Sequence, residues 1–202
     1  MTDLFADKAQ DYDARPIPVQ ISQGVFAALD AAVTLHEDLL VLDFGAGTGL
    51  IAGKVAPRVA RVLAVDVSEA MLAQLASKPE LSDTVEPICH DLLAGPLDRP
   101  VDLIVSAMAM HHVQDTAALM RALLRQLRPG GQVALADLDA EDGSFHPPDI
   151  EGVYHQGFQR ASLGATMEAA GFANVRFQTA CEVDRDGRRY PVFLVVAERP
   201  EA

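Results

Sequence analysis

The sequence predicts an α/β fold in which helices cover both faces of a largely parallel β-sheet. Between residues 39 and 139, short aliphatic runs alternate with helical patterns, as they do in repeated βαβ units. The aliphatic runs are almost continuously hydrophobic, which fits strands that are buried from both sides. Near the end, Asp186-Gly187 separates two further strand-like runs. Such a pair predicts an antiparallel hairpin.

The strand pattern accounts for seven strands, five of them before residue 140. Each is a short run rich in Val, Leu, Ile and Ala, bounded by Gly, Pro or Asp. The predicted strands are Leu39–Phe44, Arg61–Asp66, Val85–Cys89, Val101–Met108, Gln132–Asp137, Asn174–Val183 and Tyr190–Ala197.

Helices are expected before and between these strands. An amphipathic run over Val19–Val33 predicts a covering helix, and residues 1–35 are expected to form an N-terminal helical cap. Ser68 and Asp115 are predicted to cap the helices that follow the second and fourth strands. Pro129-Gly130-Gly131 is expected to end the latter helix. The last predicted helix, Arg160–Ala170, precedes Gly171.

Length and composition favour one globular domain over residues 1–202, since half of the residues are hydrophobic. The net charge of −13 disfavours nucleic acid as a substrate. The sequence has neither a membrane-length apolar run nor a secretion signal, so a cytoplasmic location is expected. Cys89 and Cys181 fall in stretches typical of buried strands, and we expect both thiols to be reduced.

The richest motif is Val41-Leu42-Asp43-Phe44-Gly45-Ala46-Gly47-Thr48-Gly49, a strand followed by three alternating glycines. Glycine lets the backbone turn sharply and approach a ligand closely, although a tight turn needs glycine for structural reasons too. A dinucleotide fingerprint would have glycine at Leu50, and no Gly-Lys-Ser/Thr follows. The spacing therefore favours a nucleoside ligand without a diphosphate.

Two carboxylates are predicted beside this turn. Asp66 ends the second strand, where open α/β sheets bind ligands, and it can accept both hydroxyls of a ribose. The alternative is that Asp66 only caps a helix together with Ser68. Asp91 follows the third strand and can accept from an adenine amino group, or it is an ordinary loop residue.

The chain resembles the class I S-adenosylmethionine-dependent methyltransferases of the small-molecule type. The resemblance rests on ordered motifs, which are Phe5-Ala6-Asp7-Lys8-Ala9-Gln10-Asp11-Tyr12-Asp13, Leu42–Gly49, Val65-Asp66-Val67-Ser68, His90-Asp91-Leu92, Met110-His111-His112-Val113 and Leu127-Arg128-Pro129-Gly130-Gly131. It implies a Rossmann-like sheet of order 3-2-1-4-5-7-6 with an antiparallel last strand.

The resemblance also implies roles for individual residues. Asp43 and the glycine turn would face the methionine half of S-adenosylmethionine, and Asp66 would hold the ribose. Val67 and Leu92 would sandwich the adenine, and Tyr12 would close over the cofactor. The implied cofactor-binding set is Tyr12, Asp43, Gly45, Gly47, Gly49, Asp66, Val67, Met71, Asp91, Leu92, Ala107 and Met108.

Methyl transfer needs a base only if the acceptor arrives protonated. The candidates are His111 and His112, directly after the fourth strand, and analogy with the family favours His112. Both are also explained as residues that merely shape a pocket. His146, Tyr154 and His155 are expected in a lid or an acceptor pocket. The acidic segment from Asp137 to Asp149 shows no zinc-like spacing, so no metal is expected.

The predicted function is methyl transfer to a small-molecule acceptor. From Ser106 onward the chain reads Ser-Ala-Met-Ala, which lacks the Asn/Asp-Pro-Pro-aromatic turn of enzymes that methylate base amines. A protein that binds S-adenosylmethionine without transferring the methyl group is the alternative, and an NAD-dependent oxidoreductase is disfavoured by Leu50. The expected partners are the small-molecule acceptor and, as an open alternative, a second copy of the chain in a homodimer. No membrane partner is expected.

Overall fold

The computed structural model describes residues 3–147 and 150–201. Its seven strands form one sheet of order β3-β2-β1-β4-β5-β7-β6. Strand β7 runs antiparallel to both of its neighbours, and the other pairs are parallel. The strands are β1 Leu40–Phe44, β2 Arg61–Asp66, β3 Val85–Cys89, β4 Val101–Ala107, β5 Leu127–Leu138, β6 Ala173–Arg185 and β7 Arg188–Glu198. The predicted fold class and strand order are confirmed.

Several strand boundaries differ from the prediction by one or more residues, and two of these differences have local reasons. Strand β4 ends at Ala107 because Met108 adopts a φ of +60°, outside the extended region. Strand β5 begins at Leu127, which pairs with Val101 before a register shift. The Pro129-Gly130-Gly131 segment therefore lies inside an irregular strand and does not end the preceding helix, since that helix stops at Gln126.

Six α-helices within the described residues surround the sheet. They are α1 Ala6–Ala9, α2 Pro16–Ala32, α3 Ala52–Val55, α4 Glu69–Ala76, α5 Thr116–Gln126 and α6 Arg160–Ala170. Helix α2 starts three residues before the predicted run, since prolines are tolerated in a first helical turn. Ser68 and Asp115 cap α4 and α5 as predicted, accepting from the backbone N–H of Met71 and of Ala118. Gly171 ends α6 with a φ of +110°.

Hydrophobic clusters lie on both faces of the sheet. One contains Leu29 of α2 and Val55 of α3, and the other contains Leu123 of α5 and Met167 of α6. The outer strands β3 and β6 have fewer buried positions than the central ones. The interior of the molecule is therefore built around β1, β2, β4, β5 and β7.

The two cysteines lie on the outer strands, at opposite edges of the sheet. Cys89 on β3 is exposed, so the expectation of a buried strand there is wrong, because β3 has a neighbour on one side only. Cys181 on β6 is half-buried, and both thiols are free. Over residues 3–147 and 150–201, no helix is both long and apolar enough to cross a membrane.

Candidate functional site

The glycine turn lies between β1 and α3, at the carboxyl edge of the sheet. Gly45, Gly47 and Gly49 have φ angles of +66°, +54° and +86°, a region that favours glycine. A Cβ on Gly49 would lie 2.8 Å from Leu75 Cδ1, whereas a Cβ on Gly47 would meet open space. Gly47 therefore borders a cavity, and Gly49 instead lets the turn pack against α4.

Asp66 connects the end of β2 to this turn. Its Oδ2 accepts from the backbone N–H of Gly47 at 2.7 Å, and its Oδ1 accepts from that of Ser68 at 2.9 Å. Burial raises the pKa of Asp66 above its ordinary value. Because each carboxylate oxygen has two acceptor positions, both oxygens can still accept from a ligand. The structural and ligand-binding roles are therefore compatible.

A cavity of about 660 Å³, the first cavity, opens beside Asp66. Ten of the twelve predicted cofactor-binding residues line it: Tyr12, Gly45, Gly47, Asp66, Val67, Met71, Asp91, Leu92, Ala107 and Met108. Val67 is 63% exposed although its side chain is apolar, and Leu93 beside Asp91 is 38% exposed. These exposed apolar side chains form a surface suited to a flat, uncharged ring.

A second cavity of about 640 Å³ adjoins the first on the side of α2 and the β6–β7 turn. Its wall includes Asp43, the eleventh predicted residue, which is 1% exposed and accepts from the backbone N–H of Ala52 at 3.0 Å. Burial raises the pKa of Asp43 to about 8. The two cavities share the wall residues Phe5, Tyr12, Gly45, Gly47, Ala107, Met108 and His112.

The N-terminal segment lies over the junction of the two cavities and is held at both ends. Asp3 accepts from the Ser68 hydroxyl at 2.8 Å. Asp13 accepts from the Thr48 hydroxyl and pairs with Lys78 Nζ at 2.5 Å. Phe5 and Tyr12, between these attachments, line both cavities. Phe5 begins the first motif of the family resemblance, but it was not among the residues predicted to bind the cofactor.

Three histidines meet at the second cavity. The ring centroids of His111 and His112 are 4.1 Å apart, and those of His111 and His146 are 5.0 Å apart. His111 Nδ1 lies 2.8 Å from Asp137 Oδ1, and His112 Nδ1 lies 2.6 Å from the Gly152 carbonyl oxygen. Burial lowers the pKa of His112 to about 4. Both histidines predicted from the sequence therefore reach the cavity.

The other residues predicted for a lid or an acceptor pocket lie in different places. His146 lines the second cavity, and Tyr154 lines the first cavity. His155 instead lies near Thr116 Oγ1 and the Val113 carbonyl, at 3.2 and 2.9 Å from its Nε2. Sequence reasoning missed the pairing of Asp137 with His111. The available signal was an acidic residue at the end of an otherwise aliphatic strand.

The acidic segment after β5 is explained by ion pairs. Asp139 binds Arg160 through two hydrogen bonds of 2.7 Å, and Asp142 accepts from Arg188 at 2.8 Å. Within residues 3–147 and 150–201, no group of three or more His, Cys, Asp or Glu side chains is arranged to hold a metal ion. Asp149 lies outside the described residues.

Comparison with known sequences points to methyltransferases. Residues 41–131 match a family model described as a methyltransferase domain. An uncharacterized methyltransferase of Geobacillus kaustophilus is 33% identical over 165 residues, covering 77% of this chain and 75% of that protein. One of Schizosaccharomyces pombe is 31% identical over 151 residues, covering 66% and 53%. The ubiquinone biosynthesis O-methyltransferase of Pseudomonas putida is 34% identical over 109 residues, covering 52% and 47%.

The chain thus spans about half the length of the yeast and Pseudomonas relatives. Among solved structures, it resembles a putative methyltransferase in complex with the Haloferax volcanii Trm112 methyltransferase activator, with a TM-score of 0.82, 19% identity and full coverage of both chains. It also resembles the N-methyltransferase NodS from Bradyrhizobium japonicum in complex with S-adenosylhomocysteine, with a TM-score of 0.73, 15% identity and coverage of 98% and 95%. These likenesses show the shared fold.

Proposed function

The chain belongs to the class I S-adenosylmethionine-dependent methyltransferases, and on that premise we propose that it methylates a small molecule held in the second cavity. The observation that supports this proposal is that the two cavities adjoin each other. They share seven wall residues, including Ala107 and Met108 at the end of β4. A methyl group at that junction is accessible from both sides.

The residues of the first cavity fit S-adenosylmethionine. Asp66 offers two carboxylate oxygens suited to a ribose, and the open space at Gly47 leaves room for a ligand against the backbone. We propose that Val67 and Leu92 contact the adenine and that Asp91 accepts from its amino group. When bound, this cofactor supplies an electrophilic methyl group on a positively charged sulfur.

We further propose that the residues shared by both cavities align the reaction. Met108 has a φ of +60°, and non-glycine residues in that region are common at functional sites. Phe5 and Tyr12 cover the junction and reduce its contact with water. Alignment alone can lower the barrier by about 7–11 kcal/mol, so most of the rate needs no further chemistry.

A small acceptor is favoured over a macromolecule by cavity size and charge. The volume of about 640 Å³ falls within the range of roughly 300–1,000 Å³ typical of small-molecule sites. The net charge of −13 opposes binding of a phosphate backbone. A histidine base, for which analogy with the family favoured His112, stays a prediction, and so do a homodimer and a cytoplasmic location.

The first experiment is calorimetric titration of the wild type and of Asp66→Ala with S-adenosylmethionine and S-adenosylhomocysteine, with NAD as the control ligand. We expect binding by the wild type and at least about tenfold weaker binding by the variant, because hydrogen bonds to a charged carboxylate contribute about 1.5–3 kcal/mol. Asp38→Ala is the matched control, since its side chain is 90% exposed. Equal affinities of Asp66→Ala and wild type, or preferential binding of NAD, would contradict the proposed site.

An activator-dependent enzyme is the second candidate function. It is suggested by the full-length likeness to a chain solved with a Trm112 activator. The isolated protein should turn over small acceptors by itself if our first proposal holds. Transfer that begins only after such an activator is added would favour the second candidate.

A further inference from the structure

His111 and Asp137 form a buried pair beside the second cavity. Asp137 is 0% exposed and accepts from three N–H groups: the backbone N–H of His111 at 3.1 Å, that of Leu138 at 2.8 Å, and Nδ1 of His111 at 2.8 Å. Because a carboxylate only accepts, Nδ1 of His111 carries the proton. In the neutral ring, the free lone pair is therefore on Nε2.

The second nitrogen of His111 is left for a ligand. His111 is 1% exposed and lines the second cavity, and its Nε2 is buried without a hydrogen-bond partner among the residues that the structure describes. Leaving such a buried atom unpaired is unfavourable, because it has lost its hydrogen bonds to water and gained none in the protein. The backbone of His111 is also anchored, because the backbone N–H of Tyr154 donates to the His111 carbonyl at 2.9 Å.

His112 differs from its neighbour in the partner of Nδ1. That nitrogen lies against the neutral carbonyl of Gly152 at 2.6 Å, whereas His111 faces a carboxylate. A carboxylate stabilises the imidazolium that forms when a histidine accepts a proton. Burial lowers the pKa of His112 to about 4, so it holds a proton weakly at neutral pH. The comparison favours His111 as the base.

We propose that His111 is the catalytic base that removes the proton from an acceptor hydroxyl group, with Asp137 as its positioning residue. This inference rests on the proposed function and narrows its substrate class to small molecules methylated on oxygen. The O–H bond breaks and its proton goes to His111 Nε2. The oxygen lone pair forms the new O–CH₃ bond while the S–CH₃ bond breaks, and its electron pair stays on sulfur as a neutral thioether.

A hydroxyl acceptor fits this arrangement for two reasons. A hydroxyl group keeps its proton at neutral pH and can donate to Nε2, whereas a thioether or an unprotonated tertiary amine has nothing to donate. Apolar side chains, including Ile17, Ile21 and Phe145, line the same cavity, and they suit the carbon skeleton of a phenol or a similar alcohol.

The charged and titratable groups around His111 bear on any pH dependence. Asp137 of β5 contacts it directly, and His146, from the segment after β5, lies beside it with its pKa lowered to about 4 by burial. The others that line this cavity are Lys8, Tyr12, Arg15, Asp43, His112, Asp184, Arg185 and Asp186. Asp137 is thus the charge in direct contact with the His111 ring.

The test compares His111→Gln with the wild type on a panel of phenols of graded O–H acidity. Removing a general base should lower kcat by about 10²-fold or more on weakly acidic phenols, with the Kd for S-adenosylmethionine changed less than about threefold. On phenols already ionised at the assay pH, the variant should approach the wild-type rate. A purely structural role of His111 would not depend on acceptor acidity.

Asp137→Asn gives a second measurement on the same pair. The Asn amide can donate to Nδ1 and so favours the ring form that carries its proton on Nε2. In that form, Nε2 cannot take the proton of the substrate's hydroxyl group. We expect a comparable loss of kcat with the same dependence on phenol acidity. His36→Gln is the matched control, because its side chain is 51% exposed on the surface. If Asp137→Asn does not fold, His111→Gln decides alone.

Three results would overturn the inference. They are an unchanged kcat in His111→Gln, an equal loss on ionised and un-ionised phenols, or a wild type that binds S-adenosylmethionine but methylates only amines, thiols or carbon. Failure of the wild type to bind S-adenosylmethionine is a different outcome, since it would reject the proposed function itself.

Discussion

Asp43 shows how burial changes a single residue of the site. The family resemblance implied its place in the site, and its carboxyl group is enclosed at the end of β1 with the backbone N–H of Ala52 as its donor. Loss of hydration raises its pKa to about 8, and the negative charge of Asp66 adds to the shift. The ligand-free protein thus holds a carboxyl group that resists ionisation.

Replacing Asp43 with Asn should stabilise the ligand-free protein at neutral and alkaline pH. The folded pKa of Asp43 lies above the unfolded value of 3.8, so the folded state binds more protons between these values. Wild-type stability therefore falls relative to the variant as pH rises towards about 8. We expect a gain of at least about 1 kcal/mol in the free energy of unfolding at pH 8, and a smaller one at pH 5.

Urea unfolding at several pH values measures this difference. Asp38→Asn, at a position whose side chain is 90% exposed, should show no comparable gain. If Asp43→Asn is no more stable than the wild type at pH 8, burial does not destabilise the ionised carboxyl group of Asp43.

Two glycine turns illustrate how similar elements serve different purposes. Gly47, in the turn between β1 and α3, has a φ of +54°, and Gly187, in the β6–β7 hairpin, has a φ of +77°. A Cβ on either residue would meet open space. They differ in location, since Gly47 lines both cavities and Gly187 belongs to a hairpin.

This pair permits a matched substitution at the scale of the turn. Gly47→Ala and Gly187→Ala should each lose about 1–2 kcal/mol of stability, because a side chain disfavours the left-handed region. Gly47→Ala should also bind S-adenosylmethionine at least about tenfold more weakly, because its Cβ occupies space proposed for the ligand. Thermal unfolding and calorimetry measure both effects. Equal affinities of the two variants would remove Gly47 from the cofactor site.

The sheet as a whole sets the environments of the two cysteines. Strand order puts β3 and β6 at opposite edges. Cys89 is exposed and lines the first cavity. Cys181 instead faces α2, since a Cβ built on Gly24 would lie 2.5 Å from the Cβ of Cys181. The pKa of each thiol is raised, foremost by loss of hydration, and at Cys89 also by nearby carboxylates. Both should therefore react slowly with alkylating reagents.

S-Adenosylmethionine should protect one cysteine and leave the other unaffected. We expect saturating ligand to slow alkylation of Cys89 by at least about tenfold, because bound ligand covers the first cavity. Cys181 provides the internal control within the same molecule. Mass spectrometry of the labelled protein distinguishes the two sites. A native disulfide between them, or equal protection of both, would contradict the topology or the cofactor site.

Much of this protein was determined by the sequence itself. Short apolar runs that alternate with helical patterns predicted the parallel strands, because each of these strands must bury its own side chains. Asp186-Gly187 predicted the hairpin, because local backbone geometry selects those residue types. Several ordered motifs, from Phe5 to Gly131, supported the family and the strand order. Each of these signals is carried by residues that are close together in the chain, and the strand order followed from the family resemblance that the motifs supported.

Other properties were decided only by the tertiary structure, because they depend on contacts between distant segments. Cys89 is exposed because β3 is an edge strand, which its own sequence did not reveal. The pairing of His111 with Asp137 joins a residue that follows β4 to one on β5, and analogy with the family had favoured His112. The pKa of Asp43 likewise follows from the packing of the whole turn. Hydrogen bonds between distant residues and the loss of hydration arise only when the sheet assembles. Local sequence patterns therefore cannot predict them.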